Sequence, residues 1–294
     1  MTTGNVLFVY DTVTDRPGVT LTASSEVQPV SRLTDIRPMR RWISSGCASE
    51  WVKVAAPEGE TFAIDTLAWL GFNGTVGAPD GGPGMLATTE MSDNADMTSS
   101  VLSRTDELWP PVYGLGDELG LYNGGYPELS DFAQFIPFRV VRLGQQVGGA
   151  YLRCTLSDPS NPDGQVRLGR WLAGIGWQPS RNFRLGWSYR WLDTATLRET
   201  SGGGIIGNRG VKYREWTLSI GSGAIPLEEL LAYADDMLRI VGTSRPFLMV
   251  LFPDGETKRL YRTSDYVVFK DAPAILAEHP ELGSVAQITA RGIR

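Results

Sequence analysis

Residues 151–171 read YLRCTLSDPSNPDGQVRLGRW, and this segment indicates the fold class most clearly. Leu152, Cys154 and Leu156 alternate with Tyr, Arg and Thr, which is the period of two expected for a strand with one buried face. Residues 157–164 are rich in Ser, Asp, Asn, Pro and Gly, the residue types that reverse a chain. A second alternating run begins at Val166. The stretch therefore predicts a β-sandwich in which these two strands pair as a long-loop hairpin.

The same short alternating runs recur along most of the chain. The 34 glycines and 18 prolines fall between them without a fixed period, which indicates many turns and few helices. We expect strands 138–143 and 151–156 to pair around a QQVGG turn, and 62–72 to be a core strand. The other predicted strands are 6–10, 19–23, 51–55, 213–221, 266–270 and 285–290.

The C-terminal part contains one predicted helix, 226–241, with the sequence PLEELLAYADDMLRIV. Pro226 suits its first turn and Gly242 its end. Its predicted apolar face consists of Leu227, Leu230, Leu231, Ala234, Leu238 and Val241. After it, 247–252 and 256–261 flank a Pro-Asp-Gly turn and are expected to form a β-hairpin. We therefore predict two domains, 1–180 and 181–294, the second being smaller and β-rich with this single helix.

Composition and charge argue against several functional classes. The formal net charge of −6 disfavours a nucleic-acid partner, which needs a concentrated positive field. The first apolar run, 6–10, is too short for a signal sequence or a membrane span, so we expect a soluble protein. Cys47 and Cys154 are too far apart in sequence for a metal motif; one disulfide is possible, and buried free thiols are favoured.

Motifs for catalysis are lacking in the sequence. The one histidine, His279, has no nucleophile-elbow context nearby, and the glycine-rich run 202–210 lacks the Lys of a phosphate loop. Asp158, Asn161 and Asp163 depart from calcium-loop spacing, so turn formation explains them better. We expect no catalytic residue, cofactor or metal. Glycoside hydrolysis needs only a pair of carboxylates, and with 33 acidic residues composition does not exclude it.

A long irregular insertion, 103–134, carries aromatic residues among prolines and glycines. A loop of this length is usually functional or covered by a partner. Its candidate residues are Trp109, Tyr113, Tyr122 and Tyr126. We expect these rings to anchor a subunit interface, where Trp and Tyr are enriched; stacking on a glycan and simple loop packing are the alternatives.

Two N-terminal motifs resemble the discoidin or galactose-binding-like module of bacteriophage tail proteins. The first is TLTASSEVQPVSRLTDIRPMRRWISSG from Thr20, and the second is AYLRCTLSDPSNPDGQVRLGRWLAG from Ala150. Together they bracket about residues 6–176, for which the resemblance implies a jelly-roll, galactose-binding-like β-sandwich. The segments FRLGWSYRWLD, YREWTLSIG and FLMVLFPDGETKRLYRTSDY look like the second half of phage distal-tail or baseplate proteins.

The resemblance implies a structural role without catalysis. Such a protein is expected to form a symmetric homo-oligomeric ring in the tail tip or baseplate, joining the tail tube to the hub or fibres. It would be made in the bacterial host cytoplasm and reside in the virion tail. The alternative is a host-surface glycan-binding module, with binding lost when Trp109 or Tyr122 is changed to Ala; a glycoside-degrading enzyme is the third reading.

Overall fold

Short antiparallel strands make up most of the chain in a computed structural model, which describes residues 4–75, 84–109, 136–199, 201, 204–208, 210–254 and 257–293. The mainly β fold predicted from the sequence is confirmed. The strands are β1 Leu7–Thr12, β2 Thr20–Ala23, β3 Trp42–Ile43, β4 Glu50–Ala55, β5 Phe62–Leu70, β6 Leu86–Ser92, β7 Ser100–Glu107, β8 Phe138–Gly149, β9 Tyr151–Ser157, β10 Arg167–Leu168, β11 Arg170–Trp177, β12 Ser188–Asp193, β13 Thr196–Glu199, β14 Ile205–Asn208, β15 Lys212–Pro226, β16 Phe247–Val250, β17 Ser264–Asp271, β18 Ile275–His279 and β19 Leu282–Gly292. The helical segments are Val13–Asp15 and Val30–Thr34 (3-10), Leu227–Glu229 (α), Leu230–Asp235 (π), Asp236–Val241 (α) and Thr257–Arg262 (α).

Contacts group the chain into two units. Unit 1 consists of Met1–Gly4, Val9–Gly176 and Val250–Ser264, and unit 2 of Asn5–Phe8, Trp177–Met249 and Asp265–Arg294. The main change of unit, after Gly176, lies close to the boundary expected after residue 180. The short exchanged segments show that neither unit is one continuous piece of sequence. The division into domains 1–180 and 181–294 itself stays a prediction.

Unit 1 contains a five-stranded antiparallel sheet in the order β2-β4-β9-β6-β7. Its inner face is apolar because alternate residues of the three central strands are buried: Val52, Val54, Ala87, Met91, Leu152, Cys154 and Leu156. Strands β11, β5 and β8 pair in that order in the same unit. The indole Nε1 of Trp69 on β5 donates a hydrogen bond to Cys154 Sγ on β9, at 3.2 Å. The two sets of strands therefore pack face to face, as the predicted sandwich requires.

The two hairpins predicted around 151–156 are wrong. Strand β9 pairs with β4 on one side and β6 on the other, so both of its edges are occupied. Strands β8 and β11 both pair with β5 instead. The turn at 157–164 consequently carries the chain from one sheet of the sandwich to the other. The pairing partners of β8, β9 and β11 are set by long-range contacts, which the local alternation of residues does not encode.

In unit 2, strands β12, β15, β19 and β17 pair in that order, and β18 adds to β19. The predicted helix is present as three consecutive segments that span 227–241, with Pro226 at its N-cap and Gly242 at its C-cap. Leu231, expected on the apolar face, is exposed. The buried side is formed instead by Leu230, Ala234, Met237 and Val241, which follow a spacing of four, three and four residues.

The strand predicted at 256–261 is wrong, because Thr257–Arg262 is a helix. Consecutive residues Leu260 and Tyr261 are both buried, which a strand with one wet face would not allow. The Tyr261 hydroxyl donates a hydrogen bond to the Phe138 carbonyl at 2.9 Å. This tertiary contact outweighs the local turn signal of Pro253 and Asp254.

Candidate functional site: the outer face of the five-stranded sheet

Of the four aromatic residues predicted to be functional in the long insertion, only Trp109 lies in the described part of the chain, and its side chain is buried. Trp109 is 3% exposed, and its ring contacts Phe72 at 5.1 Å and stacks on Tyr261 at 5.9 Å between centroids. These residues belong to unit 1, so the ring is covered by its own unit. Tyr113, Tyr122 and Tyr126 lie outside the described residues. A partner or glycan contact through these four residues stays a prediction.

Half-buried aromatic and polar side chains gather on the outer face of the five-stranded sheet in unit 1. Side chains alternate across a strand, so the burial of Val52 and Leu152 on the inner side turns their neighbours outward. Cross-strand register places these outward residues in adjacent rows. We call this surface the outer face; it comprises Trp51, Lys53, Thr88, Glu90, Thr105, Tyr151, Arg153 and Thr155.

Trp51 is the aromatic residue of the outer face on β4. It is half-buried, and Lys53, two residues further along the same strand, has its Nζ 6.0 Å from the centroid of the Trp51 ring. That spacing is within the range of a cation–π contact. Lys53 Nζ also donates a hydrogen bond to the Ala95 carbonyl at 3.2 Å. An aromatic surface and an ammonium group are therefore held side by side by consecutive outward positions of one strand.

Next to Lys53 lies an ion pair on the neighbouring strands. Arg153 of β9 is opposite both Lys53 of β4 and Glu90 of β6. Its Nη2 lies 2.7 Å from Glu90 Oε2, and its Nε also donates to that oxygen. The geometry fixes both side chains, and the charges of Arg153 and Glu90 compensate each other.

The row beside Trp51 consists of threonines. Register places Thr155 opposite Trp51 and Thr88 opposite Thr155. The hydroxyls of Thr88 and Thr105 form a hydrogen bond of 2.8 Å. Each hydroxyl can both donate and accept a hydrogen bond. The row that contains the Trp51 indole therefore offers a ligand both hydrogen-bond donors and acceptors.

Tyr151 places a second aromatic residue on the outer face, four residues from Thr155 along β9. At about 3.3 Å per residue, this offset corresponds to roughly 13 Å along the sheet. Lys53 and Arg153 occupy the row between Trp51 and Tyr151. The surface is thus long enough for an extended ligand rather than a single small group.

Unit 2 presents a second exposed aromatic surface on β12. Tyr189 and Trp191 are 44% and 47% exposed, and the ring of Trp187 stacks on Tyr189 at 6.4 Å and on Trp216 at 6.3 Å. Leu185, which precedes the strand, is fully exposed. We call Leu185, Trp187, Tyr189 and Trp191 the β12 surface. It is more apolar than the outer face of unit 1.

A buried ion pair lies beneath the β12 surface. Arg214 Nε lies 2.9 Å from Asp265 Oδ2, and the Trp216 indole donates to the same oxygen at 3.2 Å. The Arg214 guanidinium lies 4.9 Å from the Trp216 ring centroid and 5.8 Å from that of Trp191. These contacts give Trp191 of β12 and Trp216 of β15 a packing role, since the two rings cover a desolvated cation.

The remaining residues of chemical interest lie apart from both surfaces. His279 is exposed at the end of β18. Asp158 is buried and accepts hydrogen bonds from Thr75 Oγ1 at 2.6 Å and from Asn161 Nδ2 at 3.0 Å, which is a turn-stabilising role. Cys47 and Cys154 are both free. Within the described ranges, no group of three or more His, Cys, Asp or Glu residues is placed to hold a metal ion.

The arginines near the N-terminal turn pair with a carboxylate. Arg37 and Arg40 lie 3.0 Å and 3.2 Å from oxygens of Asp35. Hydrogen bonding to Arg37 lowers the pKa of the Asp35 carboxyl to about 2. Asp35 therefore compensates one of the two positive charges within the turn.

Sequence reasoning identified strands β4 and β9 of the outer face but missed β6, β7 and the residues of the face. The prediction that 103–134 is irregular is wrong for its first residues, because β7 spans Ser100–Glu107. The available signal was the outward set Trp51 and Lys53 on β4 with Tyr151 and Arg153 on β9, since an aromatic and a cation repeat at a spacing of two on each strand. The pattern indicates a shared surface only when β4 and β9 are known to be neighbouring strands.

Comparison with known proteins gives a likeness to solved structures. No protein-family model matches the chain, and no curated protein matches it. The family 32 carbohydrate-binding module of C. perfringens NanJ, solved with galactose, is similar at 11% identity and TM-score 0.34, over 57% of this chain and 98% of that one. Chitosan-binding module 1 of a chitosanase/glucanase from Paenibacillus sp. IK-5 is similar at 15% identity and TM-score 0.35, over 56% and 100%. XRCC1, solved bound to the DNA polymerase β catalytic domain, is similar at 14% identity and TM-score 0.32, over 53% and 97%.

These structures have different ligands and partners, so the likeness selects none for this chain. Among the residues that the structure describes, no helix is long and apolar enough to cross a membrane.

Proposed function

We propose that this chain is a non-catalytic glycan-binding protein and that the outer face of unit 1 is its binding surface. The observation that carries the proposal is the half-buried Trp51 indole on this face, framed by Lys53 on its own strand and by Thr155 on the next. A pyranose ring has one apolar C–H face and a rim of hydroxyls. An aromatic ring can cover the first while hydroxyl and charged side chains bond the second.

The polar groups of the outer face are organised before a ligand binds. The Arg153–Glu90 ion pair and the Thr88–Thr105 hydrogen bond hold four side chains on three neighbouring strands. Groups fixed in this way lose little conformational entropy on binding. The surface is the face of a sheet whose neighbouring strands all contribute side chains, which suits an oligosaccharide lying along it.

The N-terminal motifs that resemble a galactose-binding-like module support the same proposal. The resemblance concerns strands and turns, and it assigns no sugar contact to a particular residue. The specific contacts proposed here therefore come from the outer face alone.

A glycan array tests this proposal. The full chain is labelled and applied to immobilised glycans, with soluble sugar as competitor. The expected result is binding to a related group of oligosaccharides that soluble ligand displaces. Absence of competed binding across neutral, amino and acidic glycans would reject the function.

A second candidate function is the structural one, a ring-forming subunit of a virion tail. The β12 surface favours it, because exposed contiguous apolar side chains often mark protein interfaces. The test is the mass of the purified chain in solution, alone and with Trp191 changed to Ser. A defined oligomer that dissociates in the variant supports this role, and a monomer at all concentrations argues against self-assembly.

A further inference from the structure

We propose that the ligand of the outer face is an acidic glycan and that Lys53 recognises its carboxylate. This inference rests on the proposed function and specifies the class of sugar. The inference depends on which charged side chains of the outer face form ion pairs and which do not.

Lys53 takes part in no ion pair among the residues that the structure describes. Within the described part of the chain, no carboxylate lies within 4.0 Å of its Nζ, whose contacts are the Ala95 carbonyl and the Trp51 ring. A carbonyl and an aromatic ring orient the ammonium without neutralising it. The nearby Asp96 carboxylate accepts hydrogen bonds from the backbone and hydroxyl of Thr98 instead.

The other charged groups of the sheet do not cancel Lys53. Arg153 is paired with Glu90 at 2.7 Å, so the pair adds no net charge to the outer face. Glu107, at the end of the edge strand β7, faces the same side as Thr105. Three strand spacings and four residues separate it from Lys53, roughly 20 Å in all, which exceeds a Debye length of about 8 Å at physiological ionic strength.

The position of Lys53 fits the carboxylate of a stacked sugar. Lys53 Nζ lies over the Trp51 ring, 6.0 Å from its centroid. A pyranose that stacks on this ring brings its substituents near the ammonium, and the flexible lysine stem lets the ammonium move aside to pair with a uronate or sialate carboxylate. A neutral sugar would gain only an ordinary hydrogen bond there.

Two matched pairs of ligands test the inference: trigalacturonate with its neutral counterpart galactotriose, and sialyllactose with lactose. Affinities are measured by calorimetry with the unmodified full chain, Lys53→Gln and Lys53→Arg, and with Lys270→Gln as a control at a lysine of unit 2. The expected result is at least about a fivefold preference for one acidic ligand over its neutral partner, as one screened charge pair provides. Lys53→Gln removes this preference, whereas Lys53→Arg and Lys270→Gln retain it.

The outcomes separate this inference from the function on which it rests. Equal affinity for acidic and neutral partners, or an acidic preference that survives in Lys53→Gln, overturns the inference and leaves glycan binding intact. Binding only to neutral glycans on the array has the same consequence. Failure of every glycan to bind overturns both. Preference within the first pair identifies uronates, and preference within the second identifies sialates.

Discussion

Trp69 and Cys154 join the two sheets of unit 1 through a hydrogen bond from the indole Nε1 to the thiol sulfur, at 3.2 Å. Both side chains are fully buried. The indole N–H thus finds a partner inside an apolar layer, where an unsatisfied donor would cost stability. This hydrogen bond holds β5 and β9 opposite each other across the sandwich. Because the outer-face residues of β9 point away from Cys154, it also fixes the position of the outer face.

Stability should fall at high pH because of Cys154. Burial raises the pKa of this thiol from 9.0 to about 12, although the Trp69 hydrogen bond acts in the opposite direction. Between these values the unfolded chain loses the thiol proton and the folded chain keeps it. The free energy of unfolding therefore decreases with rising pH, by up to about 1.4 kcal/mol per pH unit from this group.

Urea denaturation between pH 8 and 11 (roughly the onset and main part of that interval) measures this effect in the unmodified protein and in Cys154→Ala. The variant should show a shallower decline with pH. Tyr261, whose pKa burial also raises, is present in both proteins and does not affect the difference. Identical slopes would show that Cys154 does not remain protonated in the folded state.

Thiol-specific labelling should distinguish the two cysteines. Cys47 is partly exposed and Cys154 is buried, so iodoacetamide should modify Cys47 first in the native protein and both cysteines in denaturant. Mass spectrometry of tryptic peptides reads out the sites. Cys47→Ser is the control and should take up almost no label when folded. Rapid native labelling of that variant would contradict the burial of Cys154.

The ion pair between Arg170 and Asp15 should contribute strongly to the stability of unit 1. The Arg170 side chain is 1% exposed, with its guanidinium bonded to Asp15 and to the Leu33 carbonyl. Changing Asp15 to Ala removes a carboxylate that pairs with this buried cation, which we expect to cost on the order of 3 kcal/mol. Urea denaturation measures the loss.

An exposed pair provides the control for this substitution. Asp236 pairs with Arg239 on the 227–241 helix, and both side chains are well exposed. Asp236→Ala should cost less than about 1 kcal/mol. Equal losses in the two variants would mean that the Arg170 pair behaves as a surface pair.

Local patterns predicted the strands of this protein better than their partners. Alternation of Leu152, Cys154 and Leu156 marked β9 correctly, because burial of one face imposes a period of two. The same pattern does not specify that β9 lies between β4 and β6, since that choice depends on contacts about one hundred residues away in sequence for β4 and about 65 for β6. The helix at Thr257–Arg262 was missed for the same reason, because Tyr261 is fixed by Phe138.

The candidate site depended on this missing information. The long insertion attracted attention because it is rich in aromatic residues, yet Trp109 is buried. Trp51 and Tyr151 lie in ordinary strand patterns and become one surface only through the pairing of β4 with β9. A sequence shows which residues of each strand face outward, and only the register shows which of them are neighbours.

Binding of a glycan to the outer face of unit 1 should depend on the Trp51 ring. Calorimetry with the strongest ligand from the array compares the unmodified chain with Trp51→Ala and with Trp191→Ala, an exposed tryptophan of unit 2 as the control. Circular dichroism confirms that each variant is folded. We predict that Trp51→Ala binds at least about tenfold more weakly, a loss of about 1.4 kcal/mol, and that Trp191→Ala is unchanged. Undiminished affinity in a folded Trp51→Ala variant would contradict the account.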